Sequence, residues 1–259
     1  MIHDSNLIKI YVATHLEASN LKDNNRILIQ VGAANSKKKL GTIQDNSFDN
    51  ISSKNNMYCE LTALYWIWKN TNEKIIGLEH YRRSFNDTDC NYFDILEKHK
   101  VIVSKPYYYN LSLEEQYKRA HIVSDWDCMI QGITELYPDY LNSVEKIFKE
   151  SNKLYPYNMF ISERQFLNEY CEWLFPLLEY IENNAIYTSR DKYQQRFIGF
   201  LSERLFTLYL EHNQKNVIPY KVNSPDQNSM IKQLKYKLTV FKNKIEYSLK
   251  RKVFWRIHK

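Results

Sequence analysis

Glycine is scarce in this chain, with five among 259 residues. A dinucleotide site built on G-x-G-x-x-G needs glycine where the backbone meets the pyrophosphate, and neither that pattern nor a Walker A loop occurs. Four cysteines, Cys59, Cys90, Cys128 and Cys171, form no C-x-x-C pair and no zinc-ligand spacing. They read as reduced thiols, with Cys59 and Cys171 packed in helices. No apolar run approaches the roughly 18–20 residues of a membrane span. The opening Met1-Ile2-His3-Asp4-Ser5-Asn6 lacks the basic and apolar regions of a signal peptide, so a cytoplasmic protein is expected. No nucleophile elbow supports a serine hydrolase.

What is present is aromatic and apolar: 21 Tyr, 12 Phe and 44% hydrophobic residues, enough for a sizeable core. The net charge of +6 is unevenly placed. Residues 230–259 carry ten Lys/Arg against one acid, Glu246, and the rest of the chain is slightly acidic.

Apolar runs and helical spacing alternate along the chain. Strands are predicted over 7–13, 27–32, 74–78, 100–104 and 157–162, and helices over 58–70, 94–99, 112–118, 125–137, 140–149, 163–183 and 197–211. Strand, helix and strand in that order predict an α/β fold with a mostly parallel sheet. The chain then divides into a body, residues 1–222, and a tail, 223–259, with the boundary near Asn223-Ser224-Pro225-Asp226. In the tail, Ile231, Leu234, Leu238, Phe241, Ile245 and Leu249 recur at helical spacing among lysines. That is the pattern of a basic amphipathic helix suited to an anionic membrane surface, with a helix docked on its own domain as the plainer alternative. Nucleic acid is not an expected partner, because the body is acidic and carries no RNA-binding motif.

The most informative stretch is Lys74-Ile75-Ile76-Gly77-Leu78-Glu79-His80-Tyr81-Arg82-Arg83. An apolar strand that stops in two arginines places guanidinium forks at a sheet's carboxyl edge, where open α/β sheets bind ligands. Such forks suit phosphate oxygens, although surface arginines paired to carboxylates give the same composition. Asp125-Trp126-Asp127 is literally a D-x-D. It reads as acids in the first turn of a helix capped by Ser124, as a divalent-metal pair, or as an acid/base. Asn158 enters an apolar strand as a turn residue or as an amide for sugar hydroxyls. Arg196, Glu203 and Arg204 share a helix face, as an ion pair or as part of a site. His15 and His121 are lone histidines, for which ordinary packing is the simpler reading.

Several ordered segments resemble a known family: Ile10-Tyr11-Val12-Ala13-Thr14-His15, Gln30-Val31-Gly32-Ala33-Ala34, Tyr58-Cys59-Glu60-Leu61-Thr62-Ala63-Leu64-Tyr65-Trp66, Gly77-Leu78-Glu79-His80-Tyr81-Arg82-Arg83, Tyr157-Asn158-Met159-Phe160-Ile161 and Arg196-Phe197-Ile198-Gly199-Phe200-Leu201. Over about residues 8–220 the chain resembles the bacterial polysaccharide-biosynthesis family known as domain of unknown function 4422. The resemblance implies a GT-A-like fold and a glycosyltransferase of capsule or exopolysaccharide synthesis. It would move a hexosyl group, galactose or galactofuranose, from a nucleotide diphosphate to a lipid-linked glycan, at the inner face of the cell membrane. A non-catalytic glycan- or nucleotide-binding scaffold is the alternative. By the same resemblance Tyr11, Ala13, Thr14, His15, Asn56, Glu60, His80 and Tyr81 line the donor site. Asn158, Arg196, Glu203 and Arg204 would hold sugar or acceptor. The strand that usually ends in D-x-D ends here in Arg82-Arg83. This predicts a metal-independent site in which the two arginines replace Mn²⁺ or Mg²⁺, with Asp125 or Asp127 as the base.

Overall fold

Strand β1 (Ile8–Thr14) lies inside the sheet because its side chains are apolar on both faces. Ile8 and Ile10 join one buried cluster with Ile75, Ile102, Ile161 and Phe85, while Tyr11 and Ala13 join the larger cluster on the other face. This is the period-two alternation of a strand covered on both sides. The computed structural model describes residues 7–17, 21–87, 90–97, 100–187, 190–224 and 230–257.

The other strands are β2 (Arg26–Gln30), β3 (Ile43–Gln44), β4 (Ile75–His80), β5 (Ser84–Phe85), β6 (Val101–Ser104), β7 (Tyr107–Tyr108), β8 (Lys153–Leu154), β9 (Phe160–Glu163), β10 (Val217–Tyr220) and β11 (Val222–Asn223). The helices are α1 (Asn55–Tyr58), α2 (Leu61–Asn70), α3 (Tyr92–Leu96), α4 (Leu113–Ala120), α5 (Val123–Leu136), α6 (Leu141–Val144), α7 (Arg164–Asn184), α8 (Phe197–His212) and α9 (Met230–Ile257). Seven strands form one sheet in the order β10-β6-β9-β4-β1-β2-β3. Every pairing is parallel except those of β9, which runs antiparallel to β4 and β6. The fold is therefore α/β with a mostly parallel central sheet flanked by helices, as expected from the order of elements. Pro219 is tolerated because β10 is an edge strand.

Three local departures from the expected elements bear on the expected site residues. The helix expected over 58–70 is broken. Helix α1 ends at Cys59, whose φ of 52° and ψ of −130° are not helical, and α2 starts again at Leu61. The strand expected over 157–162 begins only at Phe160, because Tyr157 and Asn158 both have positive φ, 79° and 51°. Helix α5 starts at Val123 with Ile122 at its N-cap, so Ser124 does not cap it. Of the expected tail boundary, Asn223 and Ser224 are described, whereas Pro225 and Asp226 lie outside the described residues. Val222–Asn223 pairs with Ser84–Phe85 and so belongs to the body. The end of the helix expected over 94–99, at Lys98 and His99, also lies outside the described residues.

Candidate active site

Arg82 and Arg83 do not end a strand. They sit on the tight turn from β4 to β5, closed by Arg83 N–H donating to the His80 carbonyl (2.8 Å) and His80 N–H to the Arg83 carbonyl (3.1 Å). The turn is also tied to β1, since Tyr81 N–H donates to the Ala13 carbonyl at 3.0 Å. A buried ion network holds it from below. Glu79, fully buried, accepts from Arg26 Nε and Nη2 (both 2.8 Å) and from Phe85 N–H (2.8 Å), and Arg26 Nη2 reaches Asp87 at 2.7 Å. Burial of this kind is tolerated only when each charge is paired and hydrogen-bonded, and here it is. The network fixes the turn and leaves both arginines without a carboxylate partner among the described residues.

The turn forms one wall of a cleft of about 750 Å³ at the carboxyl end of β1 and β4. Ala13, His15, Asn56, Glu60, His80, Tyr81, Arg82, Arg83 and Arg196 all line it, so the structure brings these expected residues together. Cys59, within the stretch Asn56 to Leu61 expected near the donor, also lines it, as do Val31, Asn55, Lys192 and Gln195, which were not expected there. Three guanidiniums and Lys192 face the cleft, and Glu60 is the one carboxylate among its lining residues.

Glu60 is placed by the break at Cys59. Asn55 Nδ2 donates to the Cys59 carbonyl at 2.7 Å, which supports the kink. Gly199 in the first turn of α8 lets that helix approach, because a Cβ there would stand 3.1 Å from Cys59 Sγ. On the other side of Asn55, Gly32 has φ 64°, and a Cβ there would meet the Asn55 amide oxygen at 2.7 Å. The Glu60 carboxylate then accepts from Asn158 Nδ2 at 2.7 Å, and the same amide reaches Ser202 Oγ at 2.9 Å. Burial pushes the Glu60 carboxyl above its ordinary range, and Asn158, Arg196 and Arg83 only partly offset it.

Asn158 and Glu203 act together behind the cleft. Glu203 accepts the Tyr157 backbone N–H at 2.7 Å and so pins the left-handed turn Tyr157–Asn158. The Tyr157 ring in turn lies 4.4 Å from the Arg83 guanidinium. Arg204 is buried and turned away: it donates to the Phe200 carbonyl (2.8 Å) and to Gln116 Oε1 (2.6 Å), which binds α8 to α4. Neither Glu203 nor Arg204 lines the cleft.

The histidines are kept neutral. His80 is pushed down to about 3, first by burial and then by Arg83, and its Nε2 has no hydrogen-bond partner among the described residues. His15 is lowered by burial, Arg82 and Arg196, and its ring packs edge-on against Tyr81. His121 lies outside the cleft, its ring centroid 4.3 Å from that of Phe200 and 5.7 Å from that of Tyr193.

Other expected residues fall elsewhere. The Tyr11 hydroxyl donates to Glu73 at 3.0 Å from within the core, and Thr14 is buried and caps its own turn by bonding to Leu16. Asp125 and Asp127 do not line the cleft. Asp125 is fully buried and bound by both Arg190 nitrogens at 2.6 Å, and Asp127 is an exposed partner of Lys118 at 3.5 Å. Lying one turn into α5, the pair points its two carboxylates in different directions. The Asp125–Arg190 ion pair stands just before the segment that carries Lys192, Gln195 and Arg196. Among the described residues no three His, Cys, Asp or Glu side chains form a metal-ligand cluster.

A solved structure described as the apo form of WbbM, a bifunctional glycosyltransferase, is similar to this chain with a TM-score of 0.78 and 26% sequence identity. The match covers 85% of this chain and 45% of that one, so the chain spans less than half of its neighbour's length. A search of the curated proteins finds no match. The family model described as Domain of unknown function (DUF4422) matches residues 9–214, which include every residue of the cleft and all of the sheet's strands but β10. The chain belongs to the DUF4422 family.

Proposed function

We propose that this chain is a glycosyltransferase that moves a hexosyl group from a nucleotide diphosphate sugar to a hydroxyl of a lipid-linked glycan in cell-surface polysaccharide synthesis. Its likeness to WbbM supports the transferase class. The observation that carries the reading is Glu60, the one carboxylate among the described lining residues, facing Arg82, Arg83 and Arg196 across one cleft. Galactose or galactofuranose is the proposed sugar, by the family resemblance.

In this reading the arginines take the negative charge that grows on the diphosphate as the bond from the anomeric carbon to its oxygen breaks. Glu60 takes the proton from the acceptor hydroxyl as that oxygen bonds to the anomeric carbon, with inversion. Its raised pKa suits a general base near neutral pH. Glu60 replaces Asp125 and Asp127 in that role because it is the carboxylate that reaches the cleft. His80 and His15, held neutral, add no competing charge and can donate hydrogen bonds. Arginine in place of Mn²⁺ or Mg²⁺ is part of the proposal.

The tail supports a seat on an anionic bilayer. Helix α9 lies on the body through polar residues: Asn243 donates to the Tyr108 carbonyl (2.9 Å), and Asn110 Nδ2 to Glu246 (3.1 Å). Leu234, Leu238, Phe241, Ile245 and Leu249 face outward, each 45–65% exposed, among lysines. No helix among the described residues is long and apolar enough to cross a membrane.

The test is release of nucleoside diphosphate from a panel of nucleotide sugars, with lipid-linked acceptor, in EDTA. Turnover that falls about 10²–10³-fold in R83A supports the reading. Nucleotide binding without turnover across the panel would favour the scaffold instead.

A further inference from the structure

A second, smaller cavity of about 160 Å³ opens where α9 meets the body. Pro156, Tyr157 and Val222 form its apolar walls, Tyr236 of α9 closes one side, and Lys105, Lys221 and Lys237 line it as well, all three exposed. Neither Lys105 nor Lys237 has a carboxylate partner among the described residues. The Tyr236 ring is held on the body by Tyr107, 5.7 Å away between centroids. An apolar wall beside three lysines suits an amphiphile with an anionic end.

Two neighbours give the cavity its meaning. Tyr157 lines it, and the same ring stands 4.4 Å from the Arg83 guanidinium that lines the large cleft, so a molecule seated here has one end beside the reacting groups. On its other side runs α9, whose outward apolar stripe begins at Leu234, two residues before Tyr236. The cavity therefore lies between a cleft fit for a nucleotide sugar and a helix face fit for a bilayer.

We propose that this cavity binds the phosphate-bearing end of a single-chain lipid phosphate, the carrier end of the acceptor, with Lys105 and Lys237 on the phosphate and Tyr157 and Tyr236 against the first carbons of the chain. The assignment rests on the transferase reading above and narrows it to one acceptor chemistry.

The probe is farnesyl phosphate below its micelle concentration, titrated calorimetrically into the full chain, with inorganic phosphate and farnesol as the two other ligands. Farnesyl phosphate is expected to bind at least tenfold more tightly than either. The K105A/K237A double variant should lose about tenfold of that affinity, and Y236A a similar amount. The stripe variant L238S/F241S should bind as the parent does. Equal binding by phosphate alone would make the cavity a simple anion site and overturn the proposal. So would unchanged affinity in K105A/K237A, or loss confined to L238S/F241S, which would place the lipid on the helix face. Hydrolysis of nucleotide sugar without acceptor should be the same in K105A/K237A as in the parent. No release of nucleoside diphosphate by either protein even with lipid-linked acceptor would count against the transferase reading and leave the binding result to stand alone.

Discussion

At the scale of single residues, Glu60 carries the heaviest claim. If it is the base, E60Q should lower turnover by about 10²–10⁴-fold with nucleotide affinity nearly unchanged. The acid limb of kcat/KM should follow its ionisation. Burial raises that carboxyl, so the limb should lie above the ordinary carboxylate range and disappear in the residual activity of E60Q. A limb at an ordinary carboxylate pH would contradict the assignment. Asp125 gives the complementary prediction. D125N leaves the Arg190 charge, 4% exposed, without its counter-ion. It should cost about 3 kcal/mol of stability, read by denaturant unfolding, while turnover per folded molecule stays within a few-fold of the parent. Sequence alone could not separate these two acids. Asp125 announced itself by a D-x-D pattern that helix caps also produce. Glu60 lay inside an apparently continuous helix, and the signal that exposes it, a left-handed Cys59, has no glycine to mark it.

At the scale of elements, the strongly periodic segments were legible and the junctions were not. β1, β4, α7 and α8 stand close to where apolar spacing puts them, because burial on both faces or along one stripe leaves its mark on composition. The β4–β5 turn and the Cys59 break were invisible, and a turn was only one of two readings of Asn158, since each is imposed by partners outside the segment: Ala13 on Tyr81, Asn55 on Cys59, Glu203 on Tyr157. The site is built from those junctions, which is why its residues were easier to guess than its geometry. The tail helix offers a test at this scale. With five large apolar side chains outward, α9 should carry the protein to vesicles of anionic lipid, and L238S/F241S should reduce flotation severalfold without changing the unfolding midpoint. Equal flotation by parent and variant would place the contact elsewhere.

For the whole molecule, partly buried neutral histidines contribute to the loss of stability in acid. His80 and His121 fall from an ordinary 6.5 to about 3 and about 4, each first through burial. Between those values the unfolded chain takes up protons that the folded chain refuses, so their contribution is complete above pH 6.5 and is lost as pH falls toward 4. Glu60 and Glu203, raised by burial, work in the opposite direction. The readout is therefore a difference: the melting temperature of the parent should fall relative to that of H121Q as pH drops from 7 to 5. A constant difference would show that His121 does not titrate on unfolding. The sheet brings the ends of β1 and β4 side by side, and the expected α/β fold already implied a ligand at that edge.

The central claim is that guanidiniums, without a divalent ion, hold the diphosphate of a nucleotide sugar in the large cleft. Calorimetric titration of nucleoside diphosphate in EDTA, on the parent and on R82A/R83A, tests it most directly. The account predicts binding by the parent in EDTA and a loss of at least 100-fold in the double variant. Binding that needs added Mn²⁺ or Mg²⁺, with the double variant equal to the parent, would contradict it.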